Sequence, residues 1–269
     1  MLLLMAVGIS TLTATSASAV QVRVQRWLEV RRLAGTVFYQ KGQKTQPALI
    51  GTRLQTAGDT IHTSTRSSAV LAIDTGIGFI NLSQNTAVRI HQLQKSREGG
   101  RIARLQIIGG QTRLQVCRFT HPSSRFEIQT PAGISSVRGT QFGVNVNPAG
   151  KTGLATLEGR IFAQAQGQSV DIKGGFQSFV IPGEPPYLPV PLQDNTHLNV
   201  ERLTAEDRST VRLSGQVDPV NVLAIADQNQ AVDRNGRFDI QVPLSANRRI
   251  VAVVTTPLGK QQVHKLAVP

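Results

Sequence analysis

A single cysteine, Cys117, stands in 269 residues, so no disulfide can close within the chain. Its stability must come from core burial, and within the strand-like run Leu114–Cys117 the thiol reads as a small buried apolar group. Aromatics make up 4% of the residues, and no nucleic-acid-binding motif accompanies the basic charge. Together these argue against a nucleic-acid partner. Long 3.6-residue periodicity is also missing: in Val22–Leu33, Val24, Leu28 and Leu33 are spaced too irregularly for an amphipathic helix. No apolar run is long enough to cross a membrane as a helix. The five histidines, His62, His91, His121, His197 and His264, are scattered without ligand-like spacing, so no metal is expected. Ser135-Ser136 does not form the G-x-S-x-G pattern of a nucleophile elbow, and no glycine loop opens a helix to cradle phosphate. These absences leave no constellation for catalysis and imply no cofactor.

What is present is strand rhythm. From Trp27 to Val180, short alternating runs such as Ala69–Asp74, Gly78–Leu82, Ile102–Ile108 and Gln141–Val146 are broken by Gly, Asn, Asp and Ser. Many strands at short, even spacing predict an all-β sandwich, jelly roll or short solenoid. Gly109-Gly110 should break Leu105–Ile108 from the strand after it. The first nineteen residues carry no charge, run from the apolar block Leu2–Ile9 into small residues and end at Ala17-Ser18-Ala19. They read as a signal peptide over 1–19, although no Lys or Arg precedes the apolar block. Export of a chain without disulfides suits the periplasm or cell surface of a bacterium. Five of the 13 prolines fall within residues 181–191, a stretch too poor in amide donors for a central strand. It marks a Pro-rich linker at 183–196. Strand rhythm then resumes, with Asp233-Arg234-Asn235-Gly236 as a strong turn.

Charge is unevenly placed. Residues 20–120 hold 15 Lys and Arg against 4 Asp and Glu, whereas the rest of the chain is nearly balanced. Lys95, Arg97, Arg101 and Arg104 cluster around the expected hairpin tip Ser96–Gly100. They form a candidate surface for an anionic partner, with a salt-sensitive attraction.

The stretch Arg125–Asn147 reads as two strands around a tight connection. Phe126, Ile128 and Thr130 alternate on the first, and Phe142, Val144 and Val146 on the second. Thr130-Pro131-Ala132-Gly133 is the turn signal, and Arg138-Gly139-Thr140 opens the second strand. This sequence resembles the signature of the FecR domain. Further matches carry the resemblance across about 30–182: Gly35-Thr36-Val37, the Gly58-Asp59…Thr63 corner, Ser68–Asp74, and Leu157-Glu158-Gly159-Arg160-Ile161, which resembles the family's L-E-G-x-V element. The resemblance implies an all-β, jelly-roll-like periplasmic domain with a role in signalling or protein interaction. Gly58, Asp59, Thr63, Thr130, Pro131, Gly133, Arg138, Gly139, Thr140, Glu158 and Gly159 are then family-motif residues. Their expected role is mainly structural, with Arg138 bridging carboxylates or carbonyls. The segment 197–269 resembles small bacterial Ig-like sandwiches.

The expectation is an exported, non-enzymatic module whose partner is an envelope protein. An alternative is a structural or adhesive module on anionic cell-wall or surface polysaccharide. A remote alternative is a dimeric aspartic protease built on Asp74 of the Asp74-Thr75-Gly76 stretch, since one chain offers only one such loop.

Overall fold

A computed structural model describes residues 26–74, 76–207 and 209–269, and every regular element among them is a strand. The expected signal peptide at 1–19 lies outside the described residues. The first strands are β1 (Leu28–Ala34), β2 (Val37–Lys41), β3 (Lys44–Pro47), β4 (Arg53–Leu54) and β5 (Thr60–Thr63). They are followed by β6 (Ser68–Ile73), β7 (Gly78–Leu82), β8 (Thr86–Lys95) and the long β9 (Arg101–Val116). Next come β10 (Arg125–Thr130), β11 (Gly133–Val137), β12 (Thr140–Val146) and β13 (Thr152–Glu158). β14 (Arg160–Ala165), β15 (Gln168–Lys173), β16 (Phe176–Val180) and the short β17 (Val190–Pro191) complete this part.

These 17 strands form two layers joined through one strand. The first layer runs β4-β1-β6-β7-β9-β12-β13-β16-β17, antiparallel throughout. The second runs β3-β2-β5-β8-β9-β10-β11-β14-β15, and only β9–β10 is parallel. β9 belongs to both. Its first half, up to Gly109, pairs with β8, and its second half, from Gly110, pairs with β12. Gly109-Gly110 therefore does not interrupt the strand, as the sequence suggested, but turns it from one layer into the other. Gly110 has φ +90°, and a Cβ there would lie 2.3 Å from the Thr86 hydroxyl, so only glycine fits.

The core lies between the layers. Leu28, Leu71, Ile80, Leu114, Phe142 and Leu154 enter from the first, and Ile61, Ile90, Leu105, Phe126, Ile128 and Ile161 from the second. Each side chain of this size contributes about 1.5–3 kcal/mol when fully buried. Alternation decides which residues these are: on β7, Ile80 and Leu82 point in while Phe79 and Asn81 point out.

Two sequence expectations change. Residues 125–147 hold three strands rather than two, because β11 pairs with β10 across the Pro131-Ala132 turn and with β14 on its other side. The stretch read as too irregular for a helix holds β1, with a bulge at Arg31. Cys117 is exposed rather than buried.

The Pro-rich stretch is laid against the edge of the first layer. Tyr187 and Leu192 donate backbone hydrogen bonds to Phe179 and Gly175 at 3.0 and 2.8 Å, and the Phe179 and Tyr187 rings stack at 4.1 Å. An edge tolerates proline because no further strand needs its missing amide.

Beyond it lie β18 (Asn199–Ala205), β19 (Thr210–Gln216), β20 (Val222–Ile225), β21 (Gln228–Gln230), β22 (Arg237–Pro243), β23 (Arg249–Thr255) and β24 (Gln261–Ala267). They form a 3-stranded sheet, β18-β19-β22, and a 4-stranded sheet, β21-β20-β23-β24. Leu213, Leu223, Phe238, Ala252 and Val254 are among the residues of a second core. Val232, just after β21, also belongs to this core. In the turn before β22, Asp233 Oδ1 accepts hydrogen bonds from the amides of Asn235 and Arg237, both at 2.8 Å.

Candidate functional site

The motif residues shape corners. At the first, the buried Asp59 carboxylate accepts hydrogen bonds from the Gln55 and Thr56 amides and the Tyr39 phenol, at 2.9, 3.1 and 3.1 Å. Burial, reinforced by the Asp59 charge, pushes the Tyr39 phenol up to about 12. Gly58, at φ +95°, delivers the chain to this carboxylate. Thr63 ties the same region together, accepting from the Thr86 amide at 3.1 Å. At the β10–β11 turn, the Thr152 hydroxyl donates to Thr130 Oγ1 at 2.8 Å, while Pro131 occupies the turn itself. A Cβ on Gly133 would lie 2.4 Å from the Gln164 carbonyl, so the close β11–β14 approach requires glycine.

Arg138-Gly139 carries the chain from the second layer into the first, and Glu158-Gly159 carries it back. The two corners touch: a Cβ on Gly159 would stand 2.5 Å from the Gly139 carbonyl, and one on Gly139 2.7 Å from Arg118 Cα. The Thr140 hydroxyl donates to the Arg160 carbonyl at 3.0 Å and seals the pair. Arg138 and Glu158 are exposed. Among the described residues Arg138 makes no side-chain hydrogen bond or ion pair, so it does not bridge anything. Structural work in the trio falls to Gly139 and Thr140.

The basic hairpin exists, with Lys95 opposite Arg101 in register. Lys95, Arg97 and Arg101 are exposed, but Arg104 is engaged by Glu127 at 2.6 Å, and Glu98 shares the tip. The four cations are therefore a mixed-sign surface rather than a concentrated positive field. Asp74 is held by Arg26 at 2.8 Å, and that guanidinium also donates to the Gln94 and Ile102 carbonyls. A carboxylate committed to a buried guanidinium is a structural ion pair; sharing a proton with a second carboxylate would require leaving it. Among the described residues no cluster of three or more His, Cys, Asp or Glu is placed to hold a metal ion.

A feature that the motifs did not signal lies on the outer face of the first layer. On β12 and β13, Gly143, Asn145, Gly153 and Ala155 pair in register as a low platform. Two loops from the C-terminal sheets sit on it. A Cβ on Gly143 would lie 1.8 Å from the Pro257 carbonyl, and one on Gly153 2.2 Å from the Val220 carbonyl. The Asn145 amide donates to the Val220 and Thr255 carbonyls, both at 3.0 Å. Gln111 donates to the Pro257 carbonyl at 2.8 Å, and the Lys151 ammonium to the Asp233 carbonyl at 2.7 Å. Burial pulls that ammonium down to about 8, against the opposing influence of Asp233 and Asp218. In sequence, small and polar residues at such positions read the same whether water or protein covers them.

Fold and corners together define an all-β sandwich with one strand common to both layers. Within it, residues 59–162 match the family model described as FecR protein, so the resemblance carried by the motifs is shown over that span. The match runs from the Asp59 corner to β14 and includes both glycine corners. Two crystal structures of a candidate anti-sigma factor from Parabacteroides distasonis also match, at 14% identity and a TM-score of 0.42. That likeness covers 49% of this chain and 59% of the other, less than two thirds of its length. No curated protein matches the chain.

Proposed function

We propose that this chain is an exported, non-enzymatic FecR-like protein that acts as a signalling or protein-interaction module of the bacterial cell envelope. In this reading residues 1–19 are the signal peptide, 30–182 the FecR-like β-domain, 183–196 the Pro-rich connection and 197–269 an Ig-like sandwich. The carrying observation is the FecR family match over 59–162, which supports a regulatory role. The motif residues fit that role, because they shape corners and leave Arg138 and Glu158 outward, where a partner has access.

The test is crosslinking of the full chain in intact envelope fractions, followed by direct binding of each captured protein to the purified chain. One partner that binds directly, with affinity reduced by Arg138→Glu or Glu158→Lys, supports the proposal. Capture of nothing that binds on its own would overturn it.

A further inference from the structure

Among the described residues, the outer face of the first layer is covered over β12 and β13 but open over β1, β6, β7 and the end of β9 around Gln115. A groove of about 670 Å³ lies there. Two rows of outward side chains cross it. In one, Arg32, Val70 and Asn81 line the groove, and Arg113 follows next in register on β9, outside the lining. In the next, Ala72, Phe79 and Gln115 do the same. Val70 and Ala72 make a low floor, from which Phe79 rises with 48% of its surface exposed. Trp27 borders the groove as a fixed plate: the Arg53 guanidinium lies 4.4 Å over its ring, and its Nε1 donates to Glu29 at 3.2 Å.

The charge here is positive. Glu29 is neutralised by Arg31 and Arg53, both at 2.9 Å, and Asp74 by Arg26. Arg32 and Arg113 have no side-chain hydrogen bond or ion pair among the described residues. Their strands are three interstrand spacings apart, on the order of 15 Å. A single small anion does not span that distance, whereas a polymer with repeated carboxylates does.

We infer that this face binds an acidic oligosaccharide, a run of sugar rings bearing carboxylates. Each part of the site matches a part of such a ligand. The Trp27 and Phe79 rings offer flat apolar plates to the C–H faces of sugar rings. Asn81 and Gln115 offer paired donors and acceptors to hydroxyls. Arg32 and Arg113 offer forked donors to carboxylates. An acidic peptide is the weaker match, because the backbone groups of β6, β7 and β9 are consumed in their own ladders and leave no edge for strand addition. The inference is independent of the protein-interaction reading, and it moves the anionic-partner surface from the β8–β9 hairpin to the groove.

The test uses the full chain at fixed salt, with the fluorescence of Trp27, its sole tryptophan, as the signal. The ligands are oligogalacturonate, a neutral malto-oligosaccharide of equal length, and oligoglutamate. Saturable binding of oligogalacturonate is expected, weakened about tenfold or more by Arg32→Ala, Arg113→Ala or Phe79→Ala through loss of a charged or stacking contact. Lys95→Ala/Arg97→Ala should leave it unchanged. Bound ligand should also slow alkylation of Cys117, which lines the groove. Arg32 and Phe79 are exposed and Arg113 is half-buried, and a matching thermal unfolding midpoint verifies that each variant is folded. Absence of saturable binding, equal binding of oligoglutamate or malto-oligosaccharide, or indifference to all three substitutions would overturn the inference.

Discussion

The two halves of one sheet face differ in the height of their side chains. Over β12 and β13 the outward positions are Gly143, Asn145, Gly153 and Ala155, and protein lies on them. Over β6, β7 and β9 they include Phe79, Asn81, Arg113 and Gln115, and no described residue lies over Phe79, Asn81 and Gln115. The ladder is continuous across both. What decides whether a second structure can sit on the sheet is therefore local relief: glycine lets two backbones approach to contact distance, and a protruding ring or guanidinium prevents it.

The sharpest way to break this comparison is to raise the low half. Gly143→Val places its Cβ where the Pro257 carbonyl now sits, although the strand conformation at Gly143 itself accepts a side chain. Lifting the C-terminal loops off the platform should cost about 4 kcal/mol, at the upper end of single-site effects. It should also make 183–196 sensitive to limited proteolysis. An unchanged unfolding midpoint would show that the loops are not held there.

The next effect is a pH dependence. Folded Lys151 binds its proton more weakly than an ordinary lysine, about 8 against 10.5. Between those values the unfolded chain holds more protons, so stability rises with pH across that window, by about 3 kcal/mol at most. Tyr39 acts in the opposite sense: its folded value of about 12 against 10.0 makes stability fall between those two pH values. Denaturant titrations at successive pH should show a rise followed by a fall, and Lys151→Met should remove the rise alone.

A smaller loss is expected from Asn145→Ala, which leaves the Val220 and Thr255 carbonyls without their donor. It should cost about 2 kcal/mol, measured by chemical denaturation. Smallest of all is Arg138→Ala, which should change stability by less than about 0.5 kcal/mol because its side chain is exposed and has no partner among the described residues. Gly139→Ala beside it should be far worse, since φ is +76° and the added Cβ meets Arg118.

Much of the fold was legible because alternation reports burial directly. Phe142, Val144 and Val146 were read as one face of a strand, and all three are core residues. β11 was missed because its pattern is inverted in polarity: Ser135 is buried, while Ile134 on the same strand is 38% exposed. Cys117 was misread although the signal was present. Leu114 and Val116 point inward, so Gln115 and Cys117 must point out. Phe79 could have been found by the same reasoning against Ile80 and Leu82. The platform had no such signal, because a glycine gives no sign of what lies above it, and the partner loops are distant in sequence.

The sharing of β9 between the layers has a mechanical consequence. In an ordinary sandwich the two sheets are held face to face by side-chain contact and by loops that cross between them, and loops give before strands do under load. Here one unbroken backbone leaves the second layer at Gly109 and enters the first at Gly110, with ladders on both sides of each half. A pull that tends to shear one layer across the other is carried by covalent bonds through that bend. A tether acting on one sheet therefore drags the other with it.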